Sequence, residues 1–148
     1  MPELLAVGTN APDFSLPATG GRTIALSDYL GRQNLIMVFY VGDNTPDCNR
    51  QLRSLQDEAA DLEAGGTAVI GINTGELDEH ERYVERMDFS FPLLHDPRGG
   101  VAALYGARQE DGTVRRTVYL IDKHGIIRYG KYGMHWNEEF FTALGELM

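Results

Sequence analysis

The chain is poorest in cysteine: one thiol, Cys48, in 148 residues. A single cysteine excludes an internal disulfide and a cysteine-rich zinc site. Positive charge is also scarce, with 13 Lys and Arg against 22 Asp and Glu, a net charge of −9. That balance argues against nucleic acid or an anionic membrane as partner, since both attract a positive face. No apolar run approaches the roughly 20 residues of a membrane span. The opening "MPELLAVGTNAPDF" has neither a basic segment nor a long apolar one, so no signal peptide is expected. These absences together lead to the expectation of a cytoplasmic protein in a reducing compartment. The four histidines, His80, His95, His124 and His135, show no ligand spacing, so neither a metal nor a cofactor is expected. His80 is placed on a charged helix face and His124 in a hairpin turn. Repeats and low-complexity tracts are absent, and the length suits one domain over residues 1–148.

What is present is an alternation of strand and helix patterns. "NLIMVFY" (34–40) and "TAVIGI" (67–72) are short apolar runs of the kind buried on both faces of a sheet. "RTVYLID" (116–122) and "IIRYGKY" (126–132) flank "KHG" and read as a hairpin. "TGGRTIAL" (19–26) reads as an earlier one. Between the strands, Cys48, Leu52, Leu55, Ala59 and Leu62 recur at helical steps, and "GG" at 65–66 ends that helix. A charged helix is expected over 76–88 with Leu77, Val84 and Met87 inward, a shorter one over 98–106, and a last one from "NEEFFTALGELM". Trp136, just before it, reads as an aromatic anchor. "RQEDGTV" (108–114) reads as a loop. The order is β, α, β, α, a β-hairpin and α, with a hairpin extension in front. That is the layout of an α/β, thioredoxin-like fold: a central mixed sheet flanked by helices.

The thiol stands at the mouth of a helix, just past a buried strand. Thr45 is a good N-cap and Pro46 suits the first helical position, so Cys48 falls in the first turn. Unpaired N–H groups and the positive end of the helix macrodipole there lower a thiol pKa. Bringing a thiol from about 8.5 to about 6 requires roughly 3.4 kcal/mol. A helix end gives typically 0.3–1 and at most about 2 kcal/mol. A second positive group is therefore required. A lone cysteine on an apolar stripe is ordinarily a small core residue, and Thr-Pro is by itself an ordinary helix start, so the wider pattern has to decide.

That pattern resembles the peroxiredoxins of the AhpC/TSA superfamily, and most of all their bacterioferritin comigratory protein branch. "YVGDNTPDC" is similar to the family's active-site segment. "VGTNAPDFSLPATGGRTIALSDYLGRQNLIMVFY" resembles the branch's opening, "GINTGELDEHERYVERMDFSFPLLHDPRGGVAALYG" its middle, and "RRTVYLIDKHGIIRY" its late hairpin. The resemblance covers nearly the whole chain. It implies that Cys48 is the peroxidatic cysteine, that the Thr45 hydroxyl orients the thiolate and bonds the peroxide, and that Arg116 supplies the missing positive charge. Arg115 is adjacent but should point to the opposite face of its strand. Tyr40, Val41, Pro46 and Asp47 are the candidate walls of a substrate pocket. The implied substrate is a hydroperoxide, and the thiol should stand beside Arg116 at an opening wide enough for two bonded oxygens.

Three departures from the branch stand out. Val41 replaces a proline thought to shield the oxidised sulfur. Asp47 places a carboxylate beside the thiol, which opposes ionisation if it points inward. Arg53 occupies the position of a resolving cysteine, so the sulfenic acid must be reduced by an outside thiol, either a thioredoxin-like or glutaredoxin-like protein or a small thiol. The resemblance implies a monomer or weak dimer. Two other readings compete. A disulfide reductase of thioredoxin type wants C-x-x-C at this helix start, where Thr45 stands in place of the first cysteine. A redox sensor or binding module would keep the fold and oxidise slowly.

Overall fold

A computed structural model of the chain describes residues 3–43, 45–133 and 138–147. The expectations for His135 and Trp136 fall outside these residues. Strand β1 (Ser15–Ala18) and β2 (Arg22–Ala25) form the expected front hairpin, pairing Leu16 with Ile24. Its turn contains Gly20 and Gly21 at φ 85° and 69°, a left-handed pair that two glycines adopt without a Cβ clash.

Strand β3 (Asn34–Phe39) is buried at every residue. It runs parallel to β4 (Thr67–Asn73) and antiparallel to β6 (Thr117–Ile121), so both of its edges are paired. Helix α1 (Pro46–Ala64) connects β3 to β4 and buries the expected stripe of Cys48, Leu52, Leu55, Ala59 and Leu62. Strand β7 (Ile127–Tyr132) completes the late hairpin with β6. Helix α2 (Leu77–Met87) follows β4, α3 (Gly100–Leu104) precedes β6, and α4 (Glu138–Leu147) comes last among the described residues.

Alternation along β3 divides the core into two. Leu35, Met37 and Phe39 face a cluster with Phe14, Leu16, Ile24, Val101 and Tyr105. Ile36 and Val38, with Tyr40 beyond the strand end, face the layer of α1 and α4, including Cys48, Leu52, Leu55, Phe140 and Leu144. The fold is therefore the expected thioredoxin-like mixed sheet with helices packed against it.

Two expectations need correction. A further strand, β5 (Leu93–His95), pairs parallel with β4 and meets β1 at Leu94–Ala18, giving a seven-stranded sheet ordered β2-β1-β5-β4-β3-β6-β7. Three residues are too few to show a strand period in sequence. The inward face of α2 also differs in part. Val84 and Met87 pack against the core as expected, though they and Leu77 are only partly covered; the fully buried residues are His80 and Tyr83, which the sequence reading did not place inward. His80 therefore lies inside the protein, because a pocket of polar partners receives it there. The 108–114 segment is a tight turn closed by an Arg108–Val114 bridge and by the Gln109 N–H donating to the Thr113 carbonyl at 2.8 Å.

Candidate active site

The register between β3 and β6 builds the site. Phe39 pairs with Thr117, the last pair of that ladder, so the next residue outward on each strand, Tyr40 and Arg116, lies at the same end of the sheet. The chain leaves β3 through residues 40–45 and enters α1 with Pro46 at its first position. Cys48 is thereby carried back over the strand ends to Arg116, 68 residues away in sequence. The Arg116 Nη2 donates to the Cys48 sulfur at 3.5 Å. Arg115 points the other way, its guanidinium carbon 3.7 Å from the centre of the Tyr132 ring. Of the two arginines, Arg116 is the one whose guanidinium reaches the sulfur.

The Cys48 thiol is held below its ordinary pKa. Burial alone would push it up. The nearby Thr45 hydroxyl, the Arg116 guanidinium and the backbone N–H groups of Gly42 and Val41 outweigh that burial by favouring the thiolate. The backbone donors differ from those expected: they come from the segment before the helix rather than from the helix's own first turn. Thr45 has the extended backbone of an N-cap, but its hydroxyl caps no helix N–H. That hydroxyl is buried and meets ordinary hydrogen-bond geometry with no neighbour, yet lies close enough to the sulfur to help hold its proton affinity down.

The expected opening is not found. Cys48 has 0% of its surface exposed. The structure distributes the candidate pocket walls unevenly. Val41 is 50% exposed and Tyr40 fully buried. Pro46 is exposed. Asp47 faces solvent and pairs with Arg50 on the helix surface, so its carboxylate is screened rather than aimed at the sulfur. Arg53, at the place of a resolving cysteine, donates to the Met87 carbonyl at 2.7 Å and ties α1 to the end of α2.

Two groups of residues near the thiol escaped the sequence reading. Gln51, one turn beyond Cys48 and 1% exposed, has no partner for either amide atom, and Arg116 Nε is likewise buried without one. A glutamine interrupting an apolar helical stripe was a usable signal. The second group is a polar cluster behind residues 40–43. The Tyr40 hydroxyl donates to Asp43 Oδ1 at 2.8 Å, and His80 Nδ1 lies 2.8 Å from Asp43 Oδ2. The Asn73 amide donates to the carbonyls of Tyr40 and Val41 at 2.8 and 3.1 Å. No local pattern marks residues so far apart as partners.

A buried thiol held toward its anion by a guanidinium from a distant part of the chain, on a thioredoxin-like sheet, fits one class: a thiol peroxidase with a single cysteine. Comparison with known proteins agrees. The chain belongs to the AhpC/TSA family, whose sequence pattern matches residues 7–130. It is 33% identical over 131 residues to alkyl hydroperoxide reductase E of Mycobacterium tuberculosis, covering 86% of each chain. It is 30% identical over 130 residues to the putative peroxiredoxin bcp of Coxiella burnetii, covering 83% of this chain and 85% of that one. Among solved structures it is similar to peroxidoxin BcpB of M. tuberculosis, with a TM-score of 0.84, 27% identity and 95% of each chain covered. PrxQ of Xylella fastidiosa shares the fold at a TM-score of 0.85 and 19% identity, over 98% of this chain and 96% of that one. The chain is thus a peroxiredoxin with a single cysteine, and its family implies a peroxide substrate and a thiol reductant. Among the described residues, no helix is long and apolar enough to cross a membrane.

Proposed function

We propose that Cys48 is the residue that reacts with hydrogen peroxide or an organic hydroperoxide, with Arg116 and Thr45 stabilising the charge that moves. The observation that carries this is the Arg116–Cys48 contact of 3.5 Å between distant parts of the chain. The Cys48 thiolate attacks one peroxide oxygen. A sulfur–oxygen bond forms, the O–O bond breaks, and the second oxygen departs as hydroxide or alkoxide and takes up a proton. Cys48 is left as a sulfenic acid, oxidised by two electrons. Full ionisation raises the thiolate population only about thirtyfold at pH 7, so most of the acceleration comes from placing the peroxide and stabilising the leaving oxygen. Arg116 Nε, the Thr45 hydroxyl and the Gln51 amide are buried polar groups without protein partners, and a peroxide would give such groups something to bind.

Because the sulfur has no exposed surface, a peroxide reaches it only after side chains around it move. With no second cysteine, the sulfenic acid is reduced from outside. One thiol of a thioredoxin-like or glutaredoxin-like protein, or a small thiol, condenses with it to a mixed disulfide and releases water. A second thiol then frees Cys48. We assign this activity to one domain over residues 1–148, acting in the cytoplasm as a monomer or weak dimer. A disulfide reductase of thioredoxin type is disfavoured by the single thiol.

The test is hydroperoxide consumption with a thiol reductant, together with mass spectrometry of Cys48 after one equivalent of hydrogen peroxide. Stoichiometric sulfenic acid and turnover, both absent in Cys48→Ser, are expected. Undiminished consumption by the serine variant would end the assignment.

A further inference from the structure

The segment between β3 and α1 is held from behind by residues from two separate elements, β4 and α2. Asn73, at the end of β4, donates to the carbonyl oxygens of both Tyr40 and Val41, while its own oxygen accepts from the Gly75 N–H at 2.7 Å. His80, from α2 and 0% exposed, lies against Asp43 Oδ2. The Tyr40 hydroxyl closes the ring on Asp43 Oδ1. Peptide planarity gives this arrangement a direction. In a trans peptide the N–H points opposite to the C=O of the same unit. Fixing the carbonyls of 40 and 41 on the Asn73 side therefore turns the N–H groups of Val41 and Gly42 to the other side, where they favour the Cys48 thiolate.

We propose that Asn73, with the Asp43–His80–Tyr40 cluster behind it, is a positioning device that presents the Val41 and Gly42 N–H groups to the reacting sulfur. Val41 is part of the device through its backbone rather than its side chain, and a proline at this position would have no N–H to present. The inference rests on the peroxidase reading only in taking the Cys48 thiolate as the reacting species. Its test needs no peroxide.

The midpoint of Cys48 ionisation, followed by thiolate absorbance near 240 nm against pH, is the measurement. Asn73→Leu keeps the branched, four-heavy-atom shape of the side chain and adds no charge. It should raise the midpoint by about one pH unit, an about tenfold loss of thiolate below both midpoints. Asp43→Asn separates positioning from simple electrostatics. Removing a nearby negative charge would by itself ease ionisation and lower the midpoint. Loss of the clamp raises it, and a rise is the expected result. Tyr40→Phe keeps the ring and removes only the hydroxyl, so it serves where another variant does not fold, with a smaller rise expected. An unchanged midpoint in a folded Asn73→Leu protein, even with reduced thermal stability, would reduce the cluster to packing. A lowered midpoint in Asp43→Asn would overturn the proposal as well.

Discussion

Two polar clusters lie on opposite sides of the same short segment, residues 40–43, and they are built to opposite rules. On the rear side, Tyr40, Asp43, His80 and Asn73 satisfy one another with bonds near 2.8–3.1 Å. On the sulfur side, the Thr45 hydroxyl, both amide atoms of Gln51 and Arg116 Nε are buried without protein partners. Thr67 supplies the other such atom among the described residues. A buried polar group left unpaired costs roughly 1–3 kcal/mol. A satisfied cluster of the same size fixes geometry instead. The contrast separates the part of the molecule that must hold still from the part that must accept something polar.

Four substitutions test the contrast, the largest effect first. Arg116→Met removes the guanidinium from the sulfur side. Peroxide consumption should fall about 10²–10³-fold, the usual loss for one preorganised donor. Since Arg116 favours the thiolate, the pH at which the rate reaches its plateau should also move upward. An unchanged plateau would mean the arginine acts only on the leaving oxygen. His80→Phe attacks the rear side and leaves the Asp43 carboxylate without its imidazole partner. Urea unfolding should report a loss of about 3 kcal/mol, in the range for breaking a buried polar network. Gln51→Met replaces two unpaired amide atoms with an apolar chain of similar size. It should leave stability unchanged or raise it by about 1 kcal/mol, opposite in sign to His80→Phe. A large loss instead would show that Gln51 is held by partners and that the contrast is wrong. The smallest effect belongs to Asp47→Asn. Its carboxylate faces solvent beside Arg50, so rate and ionisation constant should each change by no more than about twofold.

The legible parts of the fold share a physical feature: each repeats a local period. The stripe from Cys48 to Leu62 follows the turn of a helix, and "NLIMVFY" is apolar throughout because both faces of β3 are covered. Arg116 was separable from Arg115 because neighbouring strand residues point apart. β5 was missed because three residues carry no period. The inward face of α2 was read only in part: Val84 and Met87 do pack on the core, but a histidine and a tyrosine with polar partners are its most buried residues.

The sequence alone determined the sheet-and-helix order, the position of the single thiol at a helix start, and the need for a second positive group to ionise it. Those follow from short-range periodicity and from charge arithmetic, which need no third dimension. Tertiary structure decided that the sulfur is enclosed, that its backbone donors come from residues 41 and 42, and that Asn73 and His80 stand behind them. Such contacts depend on the register of strands that meet only after folding, and no local pattern encodes a meeting between groups 30 or more residues apart.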